Sequence, residues 1–175
     1  PREADAAVTA RVDFKGDGDW KVFDDFTSWQ GSSTSWLAGV AVHWQHSGDT
    51  AATAPVPQAN LIEYTADFSV EGDGWNAFAS FVGRHIDPDS GGGSALDDFG
   101  ANVQGGVFVH KNAEIFAAWD AVFPDSNYGS TRDSDFHTLT AGVNVFPFEK
   151  SSAVKFTGQF SWFLNNPSED QLVNA

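Results

Sequence analysis

Five histidines, His43, His46, His85, His110 and His137, are the side chains best suited to proton transfer or metal ligation near neutral pH. Their spacing matches neither H-E-x-x-H nor a comparable ligand set, so they read as scattered rather than as one site. Glu63 and Asp67 share a face of an alternating stretch, as the two carboxylates of a glycosidase might. Alternation brings carboxylates to one side whenever they are an even number of residues apart, so the pair reads instead as the lining of a polar surface. Ser94, Ser126 and Ser130 fall in loops without a nucleophile elbow. Asp87-Pro88-Asp89, Asp97-Asp98 and Asp133-Ser134-Asp135 offer the hard oxygen donors that calcium prefers, yet without EF-hand spacing, and read as solvated acidic loops. No catalytic residue, metal site or cofactor is assigned, and the chain is not read as an enzyme.

Composition narrows the field further. The 175 residues suffice for one domain. With 9 Lys+Arg against 24 Asp+Glu, the chain repels nucleic acid and anionic lipid headgroups. The absence of Cys excludes a disulfide framework, a thiolate zinc site and a cysteine nucleophile. Beginning at Pro1 and lacking Met, the chain is expected to be a processed product or an excerpt of something longer. No apolar run approaches the roughly 20 residues of a membrane helix, so any crossing must be made by strands.

What positions these residues is a period-two pattern that recurs along almost the whole chain. Apolar residues alternate through Val8–Phe14, Trp36–Trp44, Ile62–Val70, Trp75–Gly83, Phe99–Val109, Ile115–Phe123, Leu139–Val145 and Val154–Leu164. About eight strands of about 8 to 12 residues are predicted, longer than the usual globular strand and nearer barrel strands. Short turns at residues 71–74, 110–113 and 147–152 alternate with longer Gly-, Ser-, Asp- and Pro-rich loops at 46–60, 87–98 and 124–135. This predicts hairpins that are short at one end and long at the other. Residues 16–35, containing "DWKVFDDFTSWQG", fall where a short turn is due, and their aromatic and acidic content predicts an ordered element there.

A soluble β-sandwich also buries one apolar face of each strand. Three features favour a membrane barrel over it. The apolar faces hold almost no charge, and a Lys or Arg facing lipid at strand centre would cost roughly 2–4 kcal/mol. The opposite faces mix Gly, Ala, Thr, Asn and Gln with charges of both signs, as a lumen wall does. Trp36, Trp44, Trp75, Phe123 and Trp162 gather toward strand ends, where aromatic girdles lie.

The stretch "NAEIFAAWDAVFPDSNYGSTRDSDFHTLTAGVNVFPFEKSSAVKFTGQFSWFL", residues 112–164, resembles the closing hairpins of porins related to the phosphate-selective porin O/P family. There an E-[LIF]-F-A strand ends at an acidic loop, and T-x-G-x-N-x-[FY] leads through a short turn into V-K-[FL]. "FDDFTSW" and "EYTADFSVEGDGWNAFASFVGRH" are similar to the planctomycete versions. The resemblance implies an outer-membrane barrel of about sixteen strands, usually a homotrimer. Two departures matter: the chain ends "EDQLVNA", without an aromatic-terminated final strand, and it supplies about half the strands. The chain is accordingly expected to be a single β-barrel domain or part of one, spanning residues 1–175.

The expected fold is therefore all-β, an antiparallel transmembrane β-barrel in the cell outer membrane. The expected function is a porin whose water-filled channel passes small hydrophilic solutes or ions by passive diffusion. The expected pore-lining residues are Arg11, Asp13, Lys15, Glu63, Asp67, Arg84, Asn102, Gln104, Glu114, Asp120, Asn144, Lys155 and Gln159. Phosphate selectivity would require a ladder of basic donors, and none appears. Asp49, Asp87, Asp89, Asp97, Asp98, Asp125, Asp133 and Asp135, opposed by Arg132, predict an electronegative entrance and a non-selective or weakly cation-preferring pore. Expected partners are outer-membrane lipid, further copies of the chain and small solutes, with no nucleic acid. The competing expectation is a secreted or surface-attached β-sandwich serving as a binding or structural module.

Overall fold

A computed structural model describes residues 4–47, 59–88, 94–128 and 135–165. Asp49, Asp89, Ser130, Arg132 and Asp133 lie outside the described residues. The chain folds into one antiparallel sheet of eight strands whose spatial order is their sequence order. These are β1 (Ala4–Lys15), β2 (Ser35–Ser47), β3 (Ala59–Gly72), β4 (Trp75–Pro88), β5 (Leu96–His110), β6 (Ala113–Phe123), β7 (Phe136–Val145) and β8 (Phe156–Phe163). The expected strand number and the up-and-down order are both present. Strands β2 to β5 are longer than expected, at 13, 14, 14 and 15 residues. Their ladders run past the apolar stretch into Glu71-Gly72 at one end and the acidic residues Asp87 and Asp97 at the other.

The sheet is not closed: β1 pairs only with β2, and β8 only with β7. The architecture of the described residues is thus an open up-and-down meander, and these eight strands do not by themselves form a closed barrel. The final strand also starts later than its alternation predicts, at Phe156 instead of Val154. The connection before it, residues 146–155, is accordingly longer than the short turn expected at 147–152. Lys155 precedes β8 and belongs to that connection. Among the described residues no helix is long and apolar enough to cross a membrane, which says nothing of crossing by strands.

Register matters here because a one-residue slip would reverse a strand's faces. No such slip separates the strand centres. Val12, Val40, Ala66, Phe81, Ala101 and Ala121 are successive cross-strand partners, and so are Asp13, Gly39, Asp67, Ser80, Asn102, Asp120 and Thr138. One side of the sheet is consequently apolar over the strand centres, with His85, Asp97 and His137 toward the long-loop rim, and the other is mixed polar. An up-and-down order also sends the β1–β2, β3–β4, β5–β6 and β7–β8 connections to one rim, as the turn lengths predicted.

Most of the buried residues lie at that rim, on the polar side, beneath residues 24–31. Phe146 and Phe108 are 0% and 5% exposed, and their rings stack at 5.6 Å. Trp29 packs on both, at 4.8 Å from Phe146 and 5.0 Å from Phe108 between ring centres. Phe26 meets Phe78 edge to face at 6.1 Å. Removing the Phe146 ring would leave a void between the Trp29 and Phe108 rings. Phe146→Ala is expected to destabilise the fold by roughly 3–5 kcal/mol. Phe148→Ala, two residues on at 59% exposure, should stay within about 0.5 kcal/mol. Denaturant unfolding followed by tryptophan fluorescence would separate the two.

Candidate functional site

The polar side is built in rows, each containing one residue from every strand it crosses. Near the long-loop rim, Thr9, His43, Glu63, Arg84 and Asp98 are consecutive partners across β1 to β5. They border a concavity of about 660 Å³ that Tyr128 also lines. Thr9 and Nδ1 of His43 are hydrogen-bonded at 2.7 Å. Arg84 donates from Nε to Asp98 at 3.0 Å and also pairs with it through Nη2. The Tyr128 hydroxyl donates to the same carboxylate at 2.9 Å, and Arg84 donates to that hydroxyl at 3.1 Å. Partial burial, reinforced by the Asp98 carboxylate, holds the Tyr128 phenol above its ordinary pKa.

Asp125 and β5 exchange hydrogen bonds. The Asp97 amide donates to the Asp125 carboxylate at 2.8 Å, and the Asp125 amide donates to Asp98 at 3.0 Å. The acidic residues at this rim are therefore partly committed to holding Asp125, just past β6, against β5. Among the described residues no three His, Asp or Glu side chains converge as a metal site would require. His43 lies on the polar side, whereas His85 with Asp97, and His137 stacked on Trp119, lie on the apolar side. Glu63 and Asp67 share a face as expected. At about 3.3 Å per residue they stand about 13 Å apart along the strand, wider than the about 5–9.5 Å of glycosidase pairs.

Two glycines set the connections in the middle of the face. Gly39 on β2 lies between Asp13 and Asp67. Without a side chain there, the Arg11 guanidinium reaches over β2 to grip Asp67 with two bonds of 2.8 and 2.9 Å, while also touching Asp13 at 2.7 Å. A Cβ on Gly39 would meet the guanidinium carbon at 2.7 Å. Gly106 on β5 does the same for Asn76 and Glu114, on the strands either side. The Asn76 amide crosses over Gly106 to donate to Glu114 at 2.7 Å. Asn144 donates to the other oxygen of Glu114 at 2.8 Å and accepts from Thr157 at 2.7 Å. These links join side chains from strands β4, β6, β7 and β8. Sequence alternation placed Glu114 on this side correctly but did not reveal that it is 2% exposed, under residues 24–31.

Of the thirteen residues expected to line a pore, all but Lys155 are carried by strands on the polar side. The structure brings Arg11, Asp13 and Asp67 together, pairs Asn102 with Asp120 at 2.7 Å, and joins Glu114 to Asn144. Lys15 turns toward the rim, donating to the Gly16 and Gly18 carbonyls. Sequence reasoning missed Asn76 and Tyr128, and it placed Asp98 in a solvated loop, whereas β5 carries it onto the polar side, paired with Arg84. Asn76 follows the turn on the polar side, so alternation alone could have found it. Nothing local marks Tyr128, whose placement depends on the loop after β6. Comparison of the chain with family models, with characterised proteins and with solved structures finds no match.

Gly106→Ala puts a Cβ 2.9 Å from the Glu114 carboxyl carbon, and should cost about 1–3 kcal/mol by forcing Glu114 off Asn76. Gly158 has nothing within 4 Å of the same position, so Gly158→Ala should be neutral or stabilise by up to about 1 kcal/mol. Equal effects in denaturant unfolding would contradict this account of Gly106.

Proposed function

We propose that this sheet is part of the wall of an outer-membrane β-barrel, and that its polar side lines a water-filled channel for passive diffusion of small hydrophilic solutes or ions. The observation that carries the reading is the uncovered apolar side. Over residues 8–14, 36–44, 62–70, 75–83, 99–109, 115–123, 139–145 and 156–160, the residues facing that side include no Asp, Glu, Lys or Arg. They remain open even at strand centre, with Val40 at 53%, Phe68 at 46%, Val103 at 50% and Phe160 at 59%. Soluble monomers rarely leave a contiguous apolar patch larger than a few hundred Å². Hydrocarbon would cover such a surface at no cost.

Aromatic placement supports the same reading. Trp36 and Trp75 stand at the short-connection rim, and Trp44, Phe123 and Trp162 toward the other. Two such levels suit amphipathic rings at the two membrane interfaces. Strand lengths of 10 to 15 residues in β1 to β7 are sufficient for tilted crossings of about 9–11 residues. The unpaired edges of β1 and β8 would each expose backbone groups to lipid at several kcal/mol apiece. The proposal therefore includes further strands, from the same protein or a partner, that complete the barrel. The resemblance to the porin family implies about sixteen in all, and a homotrimer.

The polar side argues against phosphate selectivity. Both of its described guanidiniums are already engaged, Arg11 by Asp67 and Asp13 and Arg84 by Asp98. Glu63 and Asp120 are exposed and face the same space. Among the described residues an anion would find no free guanidinium there and would meet uncompensated carboxylates.

In bilayer refolding, Val103→Arg should cost roughly 2–4 kcal/mol, with Gln104→Arg nearly neutral. Equal tolerance of both would mean that Val103 does not face lipid, and solubility of the intact protein without detergent would favour a β-sandwich. In planar bilayers under a KCl gradient, the reversal potential should indicate weak K⁺ preference or none. Strong chloride preference, or block by micromolar phosphate, would overturn the charge assignment.

A further inference from the structure

The β1–β2 hairpin does not need the residues that connect it. Lys15 pairs with Leu37, and the Gly16 amide donates to the Trp36 carbonyl at 2.8 Å. The two strands are already at pairing distance there, and a two-residue turn such as the one at Asp73-Gly74 on the same rim would close them. Instead residues 17–34 leave the ladder and fold back over the polar side. They run toward β5 and β7 rather than away into solvent.

Their attachment is extensive. The Trp29 indole packs on Phe108 of β5 and on Phe146 just past β7. The Gly74 amide donates to the Trp29 carbonyl at 3.2 Å, and the Ser28 hydroxyl donates to the carbonyl of Gly72. Asn76 donates to the Phe26 carbonyl at 3.4 Å, and Ser152, beyond β7, donates to Asp25 at 2.9 Å. Thr27 and Ser28 are 9% and 2% exposed. Contacts of this kind, concentrated at residues 25–29, describe a segment docked through its middle, held by the largest aromatic cluster of the polar side among the described residues.

We infer that residues 17–34 are a fixed inward constriction that sets the channel's narrowest cross-section at the short-connection rim. The inference rests on the pore reading given above. It assigns the size limit to this segment rather than to the long loops at the opposite rim. It also separates the segment from a gate, because most of its anchors are enclosed rings, buried side chains and backbone bonds rather than exposed ion pairs.

Two variants of the full protein test it in planar bilayers. In the first, residues 18–34 are replaced by Asn-Gly, which should raise single-channel conductance by at least about twofold, since the narrowest section governs flow. In the second, Asp25→Cys and Ser152→Cys are combined in a chain that has no other cysteine. The disulfide should form on oxidation, and the oxidised variant should conduct within error of the same variant reduced. A wild-type protein that conducts, with an unchanged Asn-Gly variant, overturns the constriction while sparing the pore. Failure of the disulfide to form, or a large conductance change when it does, overturns the fixed docking. A wild-type protein that inserts but never conducts overturns the pore reading and the constriction with it. Retained heat-modifiable mobility of the Asn-Gly variant on gels, matching the wild type, guards against misfolding; its loss would show that the segment is needed to fold and is no separable constriction.

Discussion

The constraint on which this structure depends is the unbroken registration of side-chain alternation across eight strands. Because side chains alternate with a period of two, each pairing step either preserves or exchanges the faces for every residue that follows. From Val12 on β1 to Ala121 on β6 the apolar residues remain partners step by step, and the irregularities lie at ladder ends, near Ala4 and His110. A slip at any central strand would place carboxylates such as Asp67 or Asp120 among exposed valines and phenylalanines. The apolar side and the polar rows are thus one property of the sheet.

Given that registration, the polar side is organised by where side chains are missing. Neighbouring strands stand close to 5 Å apart, so a side chain normally reaches only its immediate partners. Gly39 and Gly106 remove the intervening Cβ, and Arg11 reaches Asp67, and Asn76 reaches Glu114, two strands away. Charge burial then becomes tolerable. Glu114, at 2% exposure, receives two amide donors, which lower the penalty of withdrawing its carboxyl from water. At the edge of the same rim Lys111 pairs with Glu149 across two connections and holds the Glu149 carboxyl below its ordinary pKa.

Much of this was legible in the sequence because alternation is a local signal. The number of strands, their order, the two rims and the side taken by twelve of the thirteen expected polar residues all follow from counting in twos. The rest depends on contacts between residues distant in the chain. Nothing around Phe26 or Trp29 indicates that these rings turn inward to Phe78, Phe108 and Phe146, and so nothing predicted that Glu114 would be buried. The start of β8 was misplaced for a different reason. Val154 continues the alternation of Phe156, but the ladder to β7 begins only where Val145 meets Phe156, so backbone pairing, not hydrophobicity, fixed the boundary.

The two rims differ in what keeps them ordered, and the difference bears on where specificity resides. At the long-loop rim the described contacts are polar: Arg84, Asp98, Tyr128 and Asp125 form a network in which Arg84 and Asp98 remain part-exposed. Exposed pairs are individually weak, about 0–1 kcal/mol, and are screened by salt. At the short-connection rim the contacts that hold residues 25–29 are mainly aromatic and enclosed, and packed rings carry no net charge for salt to screen. Changes in salt should therefore loosen the first rim well before the second. A cross-section defined by residues 17–34 would remain constant over conditions that alter the charge and shape of the opposite entrance.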